Sequence, residues 1–251
     1  MTKPGSLVAI RVSSEAPLPE ANMTHRPRLG IFGGTFNPVH LGHMRLVLEV
    51  LESVRPERLD LLPSARPPHK GGRRLLPFDL RVELLKAATA GMDAVFVNSL
   101  ENERDTPSYT VDTLRIYRER EPESRLFFIL GAEDFSLIST WQQWEMLPYL
   151  ADIMVVPRAG AAVEVFSDTI RECWPKAVPV PPSFGSADMA YAIPGVADAG
   201  VFIHLPLPRL DIRAELIRER LLAGRSIRFL VPDSVYAILE NHPEASGIWK
   251  I

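Results

Sequence analysis

A glycine turn between a short apolar run and an amphipathic run constrains this chain more than any other feature. Leu29, Ile31 and Phe32 read as the end of a strand, Gly33, Gly34 and Pro38 turn the chain, and Met44, Val47 or Leu48, Leu51 and Val54 then recur at helical spacing. A strand, a tight turn and a helix in that order predict an α/β unit. They also make a place for an anion, because the first-turn N–H groups of a helix lack intrahelical partners and the helix dipole adds positive partial charge there. His40 and His43 stand three apart in that first turn and project to roughly the same side. The pattern is neither the Gly-x-Gly-x-x-Gly fingerprint of dinucleotide folds nor a P-loop, which needs Gly-Lys-Ser/Thr. A plain strand–helix turn carrying two surface histidines is the simpler alternative, but Thr35, Pro38 and the His40-x-Gly42-His43 run in register behind a strand weigh against chance.

Strands and helices alternate along residues 28 to 240, which predicts a doubly wound parallel sheet. With 251 residues the chain is near the upper limit of one α/β domain, and no linker divides it. The sequence therefore predicts a flexible N-terminal extension over 1–27, rich in proline, and a single domain over 28–251. A formal net charge of −3 gives no basic excess for nucleic acid. One cysteine, Cys173, excludes an intrachain disulfide and fits a reducing, cytoplasmic setting. No run of 18 apolar residues predicts a membrane span, and the first 27 residues hold no secretory core. A homo-oligomer stays open.

Residues 58–63, 94–97, 125–130, 151–156 and 199–204 read as further strands, and 78–90 as a helix with Leu80, Leu84, Leu85 and Ala88 inward. After the second strand, residues 64–74 form a basic, Pro- and Gly-rich loop, either solvated or facing phosphate beyond a strand end. Residues 98–107 read as a solvated acidic loop with Glu101, Glu103 and Asp105. Ser108, Tyr109, Thr110 and Thr113 open the next helix, where Ser and Thr are ordinary caps. The strand ending at Leu130 runs into Gly131, Glu133 and Asp134. Trp141 and Trp144 suit a core or an interface, and a Trp also stacks on a flat ring. Residues 172–199 read as a proline-rich loop insertion. Ile212, Leu216, Ile217 and Leu221 make one apolar stripe of a helix stopped by Gly224.

The run Gly33-Gly34-Thr35-Phe36-Asn37-Pro38-x-His40-x-Gly42-His43 closely resembles the signature of the HxGH nucleotidyltransferases, and within them it is similar to the bacterial nicotinate-mononucleotide adenylyltransferases. The resemblance spans about Leu29 to Leu239 without the proline-rich insertion. It implies a Rossmann-like nucleotidyltransferase fold and transfer of the adenylyl group of ATP to nicotinate mononucleotide, giving nicotinate adenine dinucleotide and pyrophosphate in NAD biosynthesis. His43, His40, Lys70 and Arg218 take the catalytic roles, and Gly33, Gly34, Thr35, Phe36 and Ile217 complete the ATP side. Ser108, Tyr109, Thr110, Thr113, Gly131, Glu133, Asp134, Trp141 and Arg158 fall on the mononucleotide side. Pro67-Pro68-His69-Lys70 is similar to the family's closing loop. Mg2+ accompanies ATP; the sequence offers no all-protein cage, and His40 with His43 lacks a third ligand. The chain departs from the family at Glu133, where an Asp is usual, and at Arg213 and Glu215, which replace hydroxyls near the triphosphate. Another acceptor, nicotinamide mononucleotide or phosphopantetheine, and a non-catalytic nucleotide sensor are the alternatives.

Overall fold

The computed structural model of the chain describes residues 26–68, 74–157, 163–184, 186–195, 199–208 and 210–249. All but the last two residues of the expected N-terminal extension lie outside these. The chain opens with β1 (Arg28–Gly34), α1 (Leu41–Ser53), β2 (Arg58–Pro63), α2 (Phe78–Ala88) and β3 (Val95–Val97). It continues through α3 (Thr110–Arg120), β4 (Arg125–Gly131), α4 (Ala132–Ser136), β5 (Asp152–Val156) and α5 (Val163–Cys173). Strands β6 (Val178–Val180), β7 (Met189–Ala192) and β8 (Val201–His204) follow, then helices α6 (Ala214–Leu222), α7 (Asp233–Glu240) and α8 (Pro243–Ile248). Among the described residues the strands form one sheet in the order β3-β2-β1-β4-β5-β8-β7-β6. From β3 to β8 the pairs are parallel, whereas β7 and β6 run antiparallel.

Strand alternation builds two cores, one on each face. Successive side chains of a strand point to opposite faces. In β4, Phe127 and Ile129 join the core that holds Val47, Leu84 and Val235, while Leu126, Phe128 and Leu130 join the core that holds Leu114, Phe135 and Phe166. Helices α1, α2, α6 and α7 therefore cover one face, and α3, α4 and α5 the other. This is the doubly wound arrangement. Order reverses between β1 and β4, so a crevice opens beyond their carboxyl ends. No helix among the described residues is long and apolar enough to cross a membrane.

Four details differ from the sequence reading. The stretch 172–199, read as irregular, carries β6 and β7. Pro179 is accommodated because β6 is the sheet edge, where a residue without an N–H breaks no ladder on the outer side. The 98–107 loop contains a 3-10 turn over Leu100–Glu103, and Glu101 is buried rather than solvated. In α1 the inward residues are Met44, Leu46, Val47 and Val50, while Leu48 is exposed. In α6, Ile217 is buried and Leu216 is exposed.

Asp60 in the middle of β2 is wholly buried and is held by three neighbours. It accepts from the Tyr117 hydroxyl at 2.7 Å, from Asn98 Nδ2 at 2.8 Å and from Arg58 Nε and Nη2 at 2.7 and 2.9 Å. Burial and the Asp60 carboxylate push the Tyr117 phenol well above its usual range, so it stays a donor at any working pH. Asp60→Ala leaves the phenol and the amide buried with one acceptor fewer, at roughly 1–3 kcal/mol each. Tyr117→Phe removes one of several donors and costs about 0.5–1.5 kcal/mol. Urea unfolding of the two variants checks this order, with the larger fall in midpoint expected for Asp60→Ala.

Candidate active site

The β1–α1 turn is fixed by close packing. The Phe36 backbone is left-handed, with φ of 47°, and its ring lies edge-on to Phe32 at 5.5 Å. A Cβ on Gly34 would stand 3.0 Å from that ring, so any other residue here would make Phe36 give by a few tenths of an ångström beneath the turn. Asn37 Oδ1 accepts the Leu76 N–H at 2.9 Å and ties the turn to the chain ahead of α2. The peptide between Asn37 and Pro38 is cis. The chain then extends through His40, the N-cap of α1, and enters the helix.

The two imidazoles form a stacked pair with ring centroids 3.7 Å apart. His43 Nδ1 accepts the backbone N–H of His40 at 3.2 Å. An imidazole that accepts at Nδ1 carries its proton on Nε2, so His43 is set as a neutral donor through Nε2. Its ring also meets Phe36 at 5.0 Å, which fixes its plane. Gly42 is closely walled by its neighbours, since a Cβ there would come 3.0 Å from the His40 ring and 3.1 Å from the Ile212 carbonyl.

Two cavities meet at the turn. The larger, of about 810 Å³, takes Gly33, Gly34, Thr35, Phe36, His40 and His43 on one wall, Gly131, Glu133 and Asp134 on a second, and Arg213, Glu215 and Arg218 on a third. The smaller, of about 250 Å³, is lined by Ser108, Tyr109, Thr110 and Thr113 at the head of α3 and by Trp141. Gly33, Gly34, Thr35 and Asp134 border both. Trp141 stands edge-on to Phe128 at 6.3 Å, so one side of the indole is supported by the core. Ser108 Oγ accepts the Arg66 N–H at 2.9 Å, and the Ser108 N–H donates to the Arg66 carbonyl at 3.0 Å, so its hydroxyl holds the β2–α2 loop. The Thr113 hydroxyl accepts from Arg104 Nη2 at 2.8 Å and donates to Glu101 Oε1 at 3.0 Å.

The structure thus brings most of the expected residues to one crevice. Ile217 is the exception: it is fully buried in the core under α6 and does not reach the cleft wall. Lys70, with His69, and Arg158 lie outside the described residues. Glu215 pairs with Arg218 Nη2 at 2.9 Å, and Arg218 Nη1 donates to the Asn37 carbonyl at 2.9 Å, so the acidic residue faces a cation three positions on. Sequence reasoning missed Asn37, Glu101 and Arg81. Arg81 had a visible signal, since positions 81, 84, 85 and 88 share one helix face and an Arg there stands in an inward register.

The cytidylyltransferase-like family model matches residues 31–220. The "Probable nicotinate-nucleotide adenylyltransferase" of Marinobacter nauticus is 40% identical over 206 residues, 82% of this chain and 90% of that protein. This chain belongs to that family. A protein of the same name from Pseudomonas putida is 40% identical over 217 residues, 86% of this chain and 93% of its own. Among solved structures, Plasmodium falciparum nicotinic acid mononucleotide adenylyltransferase complexed with NaAD superposes with a TM-score of 0.62 at 18% identity, covering 87% of this chain and 98% of its own. The same Plasmodium protein complexed with APC gives a TM-score of 0.60 at 17% identity over the same shares, 87% and 98%. These two likenesses speak for the fold, which is that of a Rossmann-like nucleotidyltransferase, and the chain is an enzyme of that class.

His43→Ala removes the Nε2 donor, together with the Nδ1 bond to the His40 N–H and the ring contact with Phe36. Turnover should fall roughly 10²- to 10³-fold, the usual loss for one such donor, with ATP affinity changing far less. Steady-state rates together with calorimetric ATP binding read the two effects separately.

Proposed function

We propose that the chain transfers the adenylyl group of ATP to nicotinate mononucleotide, releasing pyrophosphate and forming nicotinate adenine dinucleotide for NAD biosynthesis. The observation that carries this is the meeting of two cavities at one glycine turn, with a fixed imidazole donor on the larger and a helix head beside a supported Trp on the smaller. The larger has the size of a small-molecule or cofactor pocket, for which about 300–1,000 Å³ is usual. The smaller suits one ring and its substituent.

An oxygen of the mononucleotide 5′-phosphate attacks the α-phosphorus of ATP. A new P–O bond forms, the bond to the bridging oxygen of the β-phosphate breaks, and pyrophosphate leaves with that electron pair. The nucleophile is already anionic, so no side chain has to remove a proton. Catalysis then rests on alignment and on stabilising charge at the equatorial oxygens. His43 Nε2–H donates to those oxygens, with His40 stacked beside it to hold the ring. Thr35 holds the phosphates, with Gly42 as the first-turn N–H of α1 left to join it, since the Leu41, His43 and Met44 N–H groups donate to Leu230 O and His40 O, and Arg218 supplies positive charge from α6. Lys70 and Arg158 are assigned phosphate roles on the resemblance alone. Magnesium arrives with ATP as part of that substrate; among the described residues no group of three or more His, Cys, Asp or Glu is placed to hold a metal.

On the acceptor side, the nicotinate carboxylate lies against the N–H groups at the head of α3, where a helix N-terminus favours an anion. The pyridine ring stacks on Trp141. Asp134, bordering both cavities, is the carboxylate best placed for a ribose diol, with Glu133 beside it.

Pyrophosphate release with ATP and, in parallel, nicotinate mononucleotide, its amide and phosphopantetheine tests this reading. Fast release with the acid mononucleotide, and release at least tenfold slower with the other two, is expected. Tight ATP binding without release from any acceptor would replace the enzyme reading with a nucleotide sensor.

A further inference from the structure

Helix α6 begins on the third wall of the larger cavity with Arg213 as its N-cap, and Glu215 and Arg218 stand three apart on one side of it. The same turn of helix that sends Ile217 into the core brings Arg218 to the cleft. The Arg218 side chain is 18% exposed. Its Nη1 donates to the Asn37 carbonyl in the glycine turn at 2.9 Å, and its Nη2 donates to Glu215 Oε1 at 2.9 Å. Glu215 is 55% exposed and lines the same cavity. Any anion that reaches Arg218 from the cavity therefore meets Glu215 as a rival for the same guanidinium.

The rest of the lining does not offset that carboxylate. Arg213 Nε lies 3.7 Å from Asp211 Oδ1, so its own charge is shared. Among the described residues of this cavity, the guanidinium groups of Arg74, Arg213 and Arg218 stand with the carboxylates of Glu133, Asp134, Glu215 and Glu219, and the carboxylates are in excess. A bare triphosphate brings several more negative charges to such a wall, and like charges brought together oppose binding. Magnesium across the β- and γ-oxygens removes part of that charge before the ligand enters. A carboxylate on the wall repels each form in proportion to the charge it carries, and so repels the bare form more.

We propose that Glu215 is an internal counter-anion to Arg218 and that it makes the larger cavity select the magnesium complex of a nucleoside triphosphate over the bare triphosphate. Glu215 is a specificity residue and touches none of the reacting atoms. The proposal deepens the adenylyl-transfer reading and rests on it for the identity of the ligand as a triphosphate. Its consequence is read from binding alone, with no acceptor present.

Binding of ATP to the full chain is titrated calorimetrically in excess EDTA and in excess Mg2+, for wild type, Glu215→Gln and Glu215→Asp. Wild type is expected to bind the magnesium complex more tightly. Glu215→Gln, which keeps shape and removes charge, should bind metal-free ATP roughly three- to tenfold more tightly, the scale of one exposed ion pair together with one like-charge contact. Its Kd for the magnesium complex should fall by about twofold or less, because that ligand carries less charge. Glu215→Asp, which keeps the charge, should keep the wild-type preference. Equal tightening in both media, or weaker binding of both forms by Glu215→Gln, overturns the proposal, since Glu215 would then only lower affinity in general or orient Arg218. So does a wild type that binds the two forms alike. Absence of pyrophosphate release from wild type with nicotinate mononucleotide overturns the transfer reading and leaves the two titrations to decide the role of Glu215.

Discussion

The contact on which this molecule turns is the passage of the backbone from β1 into α1 under the Phe36 ring. A strand must end, reverse and deliver a helix N-terminus to the crevice, with almost no room for side chains. Gly34 gives way to the phenyl ring, and Gly42 gives way to the His40 imidazole and the Ile212 carbonyl. With those two Cβ atoms absent, the aromatic wall of Phe32, Phe36 and His43 can close, and His43 keeps one orientation. The same crowding brings the segment before α6 against α1, so the third wall of the larger cavity is placed by the first.

Around that turn the sheet supplies direction and the helices supply heads. The strands from β3 to β8 are parallel, so their carboxyl ends lie along one edge, and the crevice falls where the winding reverses between β1 and β4. Gly34 and Gly131 end those two strands. Both are followed by a helix head at the crevice, α1 after the turn and α4 at once. Two carboxylates buried among these elements are fully committed. Asp60 in β2 collects four hydrogen bonds from three residues, and Asp152 in β5 accepts from Arg125 at 2.6 Å and from the Val201 N–H at 2.7 Å. Burial still raises the Asp152 carboxyl above its usual range, in opposition to Arg125. Such groups fix the register between neighbouring strands and loops more than they add net stability.

Much of the architecture was legible because it is periodic. Alternation in 125–130 places Phe127 and Phe128 on opposite faces, and they fall in separate cores. The helix over 78–90 was recognisable from Leu84 and Leu85, and it spans Phe78–Ala88. Strands within 172–199 were not legible, because edge pairing is made by the backbone and is indifferent to Pro179 and to the weak apolar pattern around it. Ile217 illustrates the opposite error. A motif position was taken for a contact, whereas the helix rotates that residue into the core and leaves Arg218 on the cleft.

The sequence by itself determined the alternating α/β class, the glycine turn and the family to which the chain belongs, since each is carried by local spacing of residue types. Only the tertiary structure decided which groups meet across long separations: Arg81 with the Thr35 carbonyl, Arg218 with the Asn37 carbonyl, Glu101 with Thr113 below the smaller cavity. The reason is physical. Hydrophobic periodicity records which face of an element is inward, but a buried charge is placed by whichever carbonyls, hydroxyls and counter-charges the packing of several elements brings within hydrogen-bond reach.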